Sequence, residues 1–220
     1  MTNEAILNRL IALKKRLSVD DQLAIDNAIN KNVKLTDFED IPSALGNLIL
    51  DVKEDMAMEY AKKNGVGEKL KCAKRILKRN AEVRPLLTYA YTEESGIQNI
   101  CDGFCLVQLT EPLPLPELPA GERYIAVEKI KPKQRNPITL TLPSLSELKS
   151  YYKLKKDEKA KVVYYDFGEG LPLVDAEMLI DVMTLVPNAV ATWESYSIEF
   201  NADKGDYALL MICRKEGERT

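Results

Sequence analysis

The chain of 220 residues contains no histidine. That excludes Ser-His and Cys-His nucleophilic catalysis, histidine-ligated zinc and the commonest general base near neutral pH. An excess of either charge is also missing. Thirty-one basic side chains against 34 acidic ones leave a net −3, so any surface for nucleic acid must be local. No apolar run approaches the length of a membrane span. The start, Met1-Thr2-Asn3-Glu4, lacks the basic flank and apolar core of a signal peptide. The expectation is a cytoplasmic protein without membrane contact. Cysteine is scarce: Cys72, Cys101, Cys105 and Cys213. Cys101 and Cys105 lie four apart, but no second close pair completes a zinc set. Each cysteine sits in an apolar stretch, so buried free thiols are expected rather than a metal site or a disulfide.

What is present is ordinary for a globular chain: 45% hydrophobic and 30% charged residues. The length suits one large domain or two small ones. Residues 1–64 read as a helical N-terminal region. Ile6, Leu10, Leu13 and Leu17 recur at helical spacing, and Ser18 is a plausible N-cap ahead of Asp20 and Asp21. A third helical stretch, 42–63, runs into Asn64-Gly65-Val66-Gly67.

After that break the pattern changes. Residues 68–80 form an amphipathic helix with Leu70, Ala73, Ile76 and Leu77 as its apolar stripe. Strands are expected over 86–91, 97–101 and 104–109, with turns at Glu93-Glu94-Ser95-Gly96 and Asp102-Gly103. Residues 111–119 alternate proline with other residues, so they must be extended. A polyproline ligand is one reading; a connector crossing the surface is preferred, because leucines alternate with the prolines. A helix over 144–156 and a strand over 162–167 follow. The helix at 175–186 then repeats the first stripe as Leu179, Val182, Leu185 and Val186, at a constant offset of 109. Strands at 189–193, 198–202 and 207–213 complete a second helix-plus-strands unit. The fold class is therefore α+β, two duplicated units over 67–217 with a proline-rich and helical insertion at about 111–160.

Local motifs accompany the duplication. Arg84-Pro85-Leu86-Leu87 leads into strands and then Cys101-Asp102-Gly103-Phe104-Cys105-Leu106. Asp175-Ala-Glu-Met-Leu-Ile-Asp181 opens the second helix, and Ala208-Leu-Leu-Met-Ile-Cys-Arg214 closes the last strand. In that order, over roughly 67–214, they resemble a single domain of the DNA sliding-clamp fold, above all the bacterial polymerase III β clamp. Phe104 and Cys105 stand where that family has histidine and arginine, and Ile212 where it has proline.

The resemblance implies a non-enzymatic docking platform, a processivity factor in DNA replication or a related DNA transaction, with no cofactor and no metal. Its partners would be double-stranded DNA, bound without sequence preference, and short linear peptides of replication-type proteins. Such rings contain six domains, so closure by this chain would take six copies; the oligomeric state is left open. The outward face of the first helix carries Lys71, Lys74, Arg75 and Lys78, which with Arg79 are the DNA-binding candidates, residues that attract phosphates without fixing a sequence. Asp175, Glu177 and Asp181 on the second helix are expected to be exposed and to oppose a duplex. The resemblance assigns peptide binding to Gly103, Phe104, Cys105, Leu106, Leu209 and Met211, against which stands ordinary strand packing. The alternative function is an interaction or regulatory module of the same fold that does not bind DNA. A third reading, catalysis by Asp166, Glu169 and Asp175 beside a glycine turn, is disfavoured because such acids are usually solvated. Gly168-Glu169-Gly170 lacks the further glycine and lysine of a phosphate loop.

Overall fold

The computed structural model describes Ile6, Asn8, Ile49 and residues 52–213, apart from positions 120, 134, 135 and 159. The stripe expected over 6–17 and the N-cap expected at Ser18 therefore lie almost wholly outside the described residues. The chain divides into two units at Gly65–Val66. Within the first, residues 52–63 are helical and end where the glycine predicts. Asn64 and Gly65 donate to the Tyr60 and Lys62 carbonyls, and Gly65 takes φ +68°, which glycine adopts without steric cost.

The second unit opens with α1, Gly67–Arg79. Leu70, Ala73, Ile76 and Leu77 are all buried, as is Cys72. Glu68 in its first turn and Lys78 and Arg79 in its last complement the helix dipole. The strand expected from 86 is instead a 3-10 turn, Pro85–Thr88. Pro85 starts it with a pre-set φ, and the Thr88 hydroxyl donates to the Pro85 carbonyl at 2.6 Å, curling the chain before it can pair. Only β1, Tyr91–Thr92, joins the sheet here, followed by β2, Gln98–Cys101, and β3, Cys105–Leu109.

The insertion carries a short helix α2, Val127–Ile130, the strand β4, Ile138–Leu140, and the helix α3, Leu145–Asp157. Ser144 caps α3 in a reciprocal box with Glu147. A hairpin of β5, Tyr164–Asp166, and β6, Leu173–Asp175, forms a separate two-stranded sheet. Then come α4, Ala176–Leu185, and a second meander: β7, Val190–Glu194; β8, Ser197–Asn201; β9, Tyr207–Met211.

The main sheet is antiparallel throughout, in the order β1-β2-β3-β9-β8-β7-β4. Each three-stranded meander thus ends at the centre, where Cys105 pairs with Leu210 and Leu106 with Leu209. An antiparallel pair relates its strands by a local two-fold. The two helix-plus-meander units consequently meet head to head across that seam, with α1 against α4. Leu179, Val182, Leu185 and Val186 are buried like their counterparts 109 positions earlier. The molecule is an α+β fold, a large antiparallel sheet with helices.

Side chains alternate across the pleat. Val107, Ala208 and Leu210 point to the α1–α4 layer. Leu106 and Leu209 point the other way, into a second core with Leu87, Cys101 and Val127. The proline segment runs along the β1 side: Ala90 donates to the Pro116 carbonyl and accepts from Leu118, both at 2.8 Å. Leu113 and Leu115 are buried beneath it. The segment crosses the surface as a connector, its Leu113 and Leu115 packed down and its Pro112, Pro116 and Pro119 exposed. Among the described residues no helix is long and apolar enough to cross a membrane.

Candidate functional site: a basic groove and an apolar rim

The amphipathic period of α1 sends its charged residues away from the sheet, and there they line a shallow depression of about 490 Å³. Its walls are Lys71, Lys74, Arg75, Lys78, Arg79 and Glu177. The five cations do not play one part. Arg75 and Arg79 reach across to α4 and clasp Asp181, whose side chain is fully buried. Arg75 donates from Nε to Asp181 Oδ1 at 3.0 Å, and its terminal nitrogen binds the same oxygen. Arg79 donates to Asp181 Oδ2 and to Asp102 Oδ2, each at 2.7 Å.

Hydrogen bonding to Asp181 raises the Arg75 pKa further above its already high value. For Arg79, burial works against the charge, but Asp102 and Asp181 outweigh it and the net shift is upward. These arginines are structural clasps first. The expectation that Asp181 is an exposed repulsive acid is corrected; Arg75 stays exposed beside its clasp, whereas Arg79 is largely enclosed. Asp181 occupies the helix–helix contact, and removal of an ion from water is tolerated only with such partners. Asp175 is likewise no loose acid, since it N-caps α4 by accepting from the Glu177 and Met178 amides. Glu177 alone opens onto the groove, 3.9 Å from Arg75 and accepting from the Tyr152 hydroxyl. Lys71 forms an exposed pair with Glu68 at 2.9 Å, which screening makes weak.

The second feature is built by the β2–β3 turn. Asp102 Oδ1 accepts from the Phe104 and Cys105 amides at 2.8 and 2.7 Å, while Gly103 takes φ +93°. Arg84 lies over Gly103 so closely that a β-carbon there would overlap its guanidinium. The same group stacks against the Phe104 ring, 5.9 Å from its centre. Met211 donates its amide to the Phe104 carbonyl at 2.9 Å, and Ile212 donates to Tyr196 at 3.0 Å. Three large apolar side chains thus share one end of the sheet, with Phe104 50% exposed, Met211 38% and Tyr196 71%.

The two segments that carry the expected peptide site do meet, because β3 and β9 are neighbours. Gly103, Phe104 and Met211 lie at the surface end. Cys105, Leu106 and Leu209, expected there too, are core. Pleat alternation and central strand position bury them, leaving only the strand ends open. Tyr196 and Arg84 escape sequence reasoning. Tyr196 is brought in only by the β8–β9 pairing, and Arg84 by the fold of the 3-10 turn.

The remaining candidates are accounted for structurally. The four cysteines are free thiols, and three are buried. Burial pushes Cys101 up to about 11 and Cys72 and Cys105 upward as well, which removes nucleophilic character. Asp166 accepts from the Gly168 amide in the β5–β6 turn. Among the described residues no cluster of three or more cysteine, aspartate or glutamate side chains could hold a metal ion. No family model, curated protein or solved structure matches the chain.

Proposed function

We propose that this chain is a non-enzymatic docking platform in DNA replication or a related DNA transaction, resembling a single sliding-clamp domain and touching duplex DNA through α1. The carrying observation is the groove itself: Lys71, Lys74 and Lys78 line it, while Asp102 and Asp181 beneath are buried and clasped by Arg75 and Arg79. Of the acids expected to repel a phosphate backbone, Asp181 is thereby removed from the surface, and Glu177 is the one that still opens onto the groove. Lysine ammoniums on flexible stems suit non-specific phosphate contact, since they position a duplex without reading bases.

Fluorescence anisotropy of a short mixed-sequence duplex tests this reading. Affinity should fall steeply with salt, and the Lys71→Glu/Lys74→Glu/Lys78→Glu variant should lower the log–log salt slope by about 2–3. Duplex affinity unmoved by that reversal rejects α1 as a DNA contact.

A second reading, an interaction module that does not engage DNA, rests on the apolar rim of Phe104, Met211 and Tyr196. Clustered large apolar side chains at a surface serve as anchors for a partner's leucine or phenylalanine. It predicts that the wild type shows no salt-dependent duplex binding and that Phe104→Asp with Met211→Asp abolishes co-purification of a replication-type partner. Retention of that partner by the double variant would remove the rim from consideration.

A further inference from the structure

The inserted helix α3 packs against α4, on which Glu177 stands. Leu148 is buried and Tyr152 half-buried, which fixes the inward side of α3. Lys149, Lys153 and Lys156 are all exposed. Their spacing of four and then three places them on one stripe. Two observations join this stripe to the groove of α1. The Tyr152 hydroxyl donates to Glu177 Oε1 at 3.2 Å, and that same oxygen lies 3.9 Å from Arg75. The Glu68 carboxyl, held below its usual range chiefly by Lys71, also feels the positive charge of Lys149. α1 and α3 therefore both reach Glu177, through Arg75 and Tyr152, and Lys149 lies within electrostatic reach of Glu68 on α1. On the rest of α3, Glu147 caps its own helix, Lys155 pairs with Glu158 and Asp157 is exposed, while Lys156 also reaches the Lys161 carbonyl at 3.4 Å and lies over the Tyr152 ring.

We propose that α3 is a second DNA-contacting helix, its Lys149, Lys153 and Lys156 binding the sugar–phosphate backbone of the duplex that α1 engages. This rests on the α1 reading above and goes beyond it. The repeated unit leaves α4 without a basic face of its own, and the insertion supplies one from outside. The occupant is fixed by charge complementarity, since two lysine-bearing helices beside the half-buried Glu177 suit a continuous polyanion better than a compact ligand.

The experiment uses the full chain and the same labelled duplex, titrated between about 50 and 200 mM salt. Lys149→Glu/Lys153→Glu/Lys156→Glu should weaken binding roughly tenfold or more at the low end and lower the salt slope by about 2–3. Circular dichroism and thermal melting check the fold, and the matching glutamine triple replaces the reversal if it fails to fold. Wild-type affinity in the α3 variant, with loss in the α1 variant, overturns α3 and leaves α1 standing. Loss in both variants supports the proposal, whereas loss in the α3 variant alone rejects the α1 reading and with it a duplex shared by the two helices. No salt-dependent duplex binding by the wild type overturns both, as does equal loss from neutral lysine-to-methionine changes elsewhere on the surface.

Discussion

Arg79 on α1 holds Asp102 at 2.7 Å, and Asp102 is the residue whose other oxygen pins the Phe104 and Cys105 amides in the β2–β3 turn. A single carboxylate thus ties the basic helix to the turn that presents Phe104. Because the second arm of Arg79 binds Asp181, the link extends to α4.

Truncating this clasp leaves two buried carboxylates short of a partner. Arg79→Met should therefore destabilise the protein by about 3–5 kcal/mol, the cost of breaking a buried pair from one side. Urea denaturation measures it. A loss below about 1 kcal/mol would show that the pair is water-accessible and weak.

Gly103→Ala should cost about 1–2 kcal/mol for the positive φ alone, with added overlap against Arg84. Shortening Arg84 to alanine removes the overlap, so the double variant should be less destabilised than the sum of the singles. Thermal melts of the four proteins decide whether the two positions are coupled.

The buried thiols set an alkaline limit. Cys101 titrates near 9 when unfolded and about 11 when folded, so the native state keeps its proton longer. Its contribution is complete below pH 9 and is lost as pH rises through about 11, on the order of 2–3 kcal/mol. Cys101→Ala should flatten the fall of the urea midpoint across that window. Thiol reagents should modify the native protein far more slowly than the unfolded chain at pH 8.

The proline segment behaves as a strap. Leu113 is buried, and its backbone donates to and accepts from the Gln98 side chain at 2.9 and 3.0 Å. Leu113→Ala should cost roughly 2–5 kcal/mol, as for any buried leucine left with a cavity. A change under about 0.5 kcal/mol would mean that the strap is peripheral to folding.

Local periodicity and turn chemistry suffice for the elements that repeat a pattern over several residues. The stripes of α1 and α4, the Asp102-Gly103 turn and the last three strands are legible because each side chain's burial follows from position within its own element. Short pieces are not. The three-residue β4 and β6 offer too few alternations to be told from loop, and they exist only because β7 and β5 lie beside them.

Charge is the other divide. Read along α4, Asp181 is one more acid on a helix, and Arg75 and Arg79 are two more bases on theirs. Asp181 and the two arginines stand more than a hundred residues apart in the chain. Whether a charge meets water or a counter-charge is set by what packs across from it, and no pattern within one element encodes that. The same holds for Phe104 and Met211, whose side chains become neighbours only when the central strands pair. Composition and spacing specified the pieces and their buried faces; long-range packing assigned each polar group to solvent, to a clasp or to a surface fit for a partner.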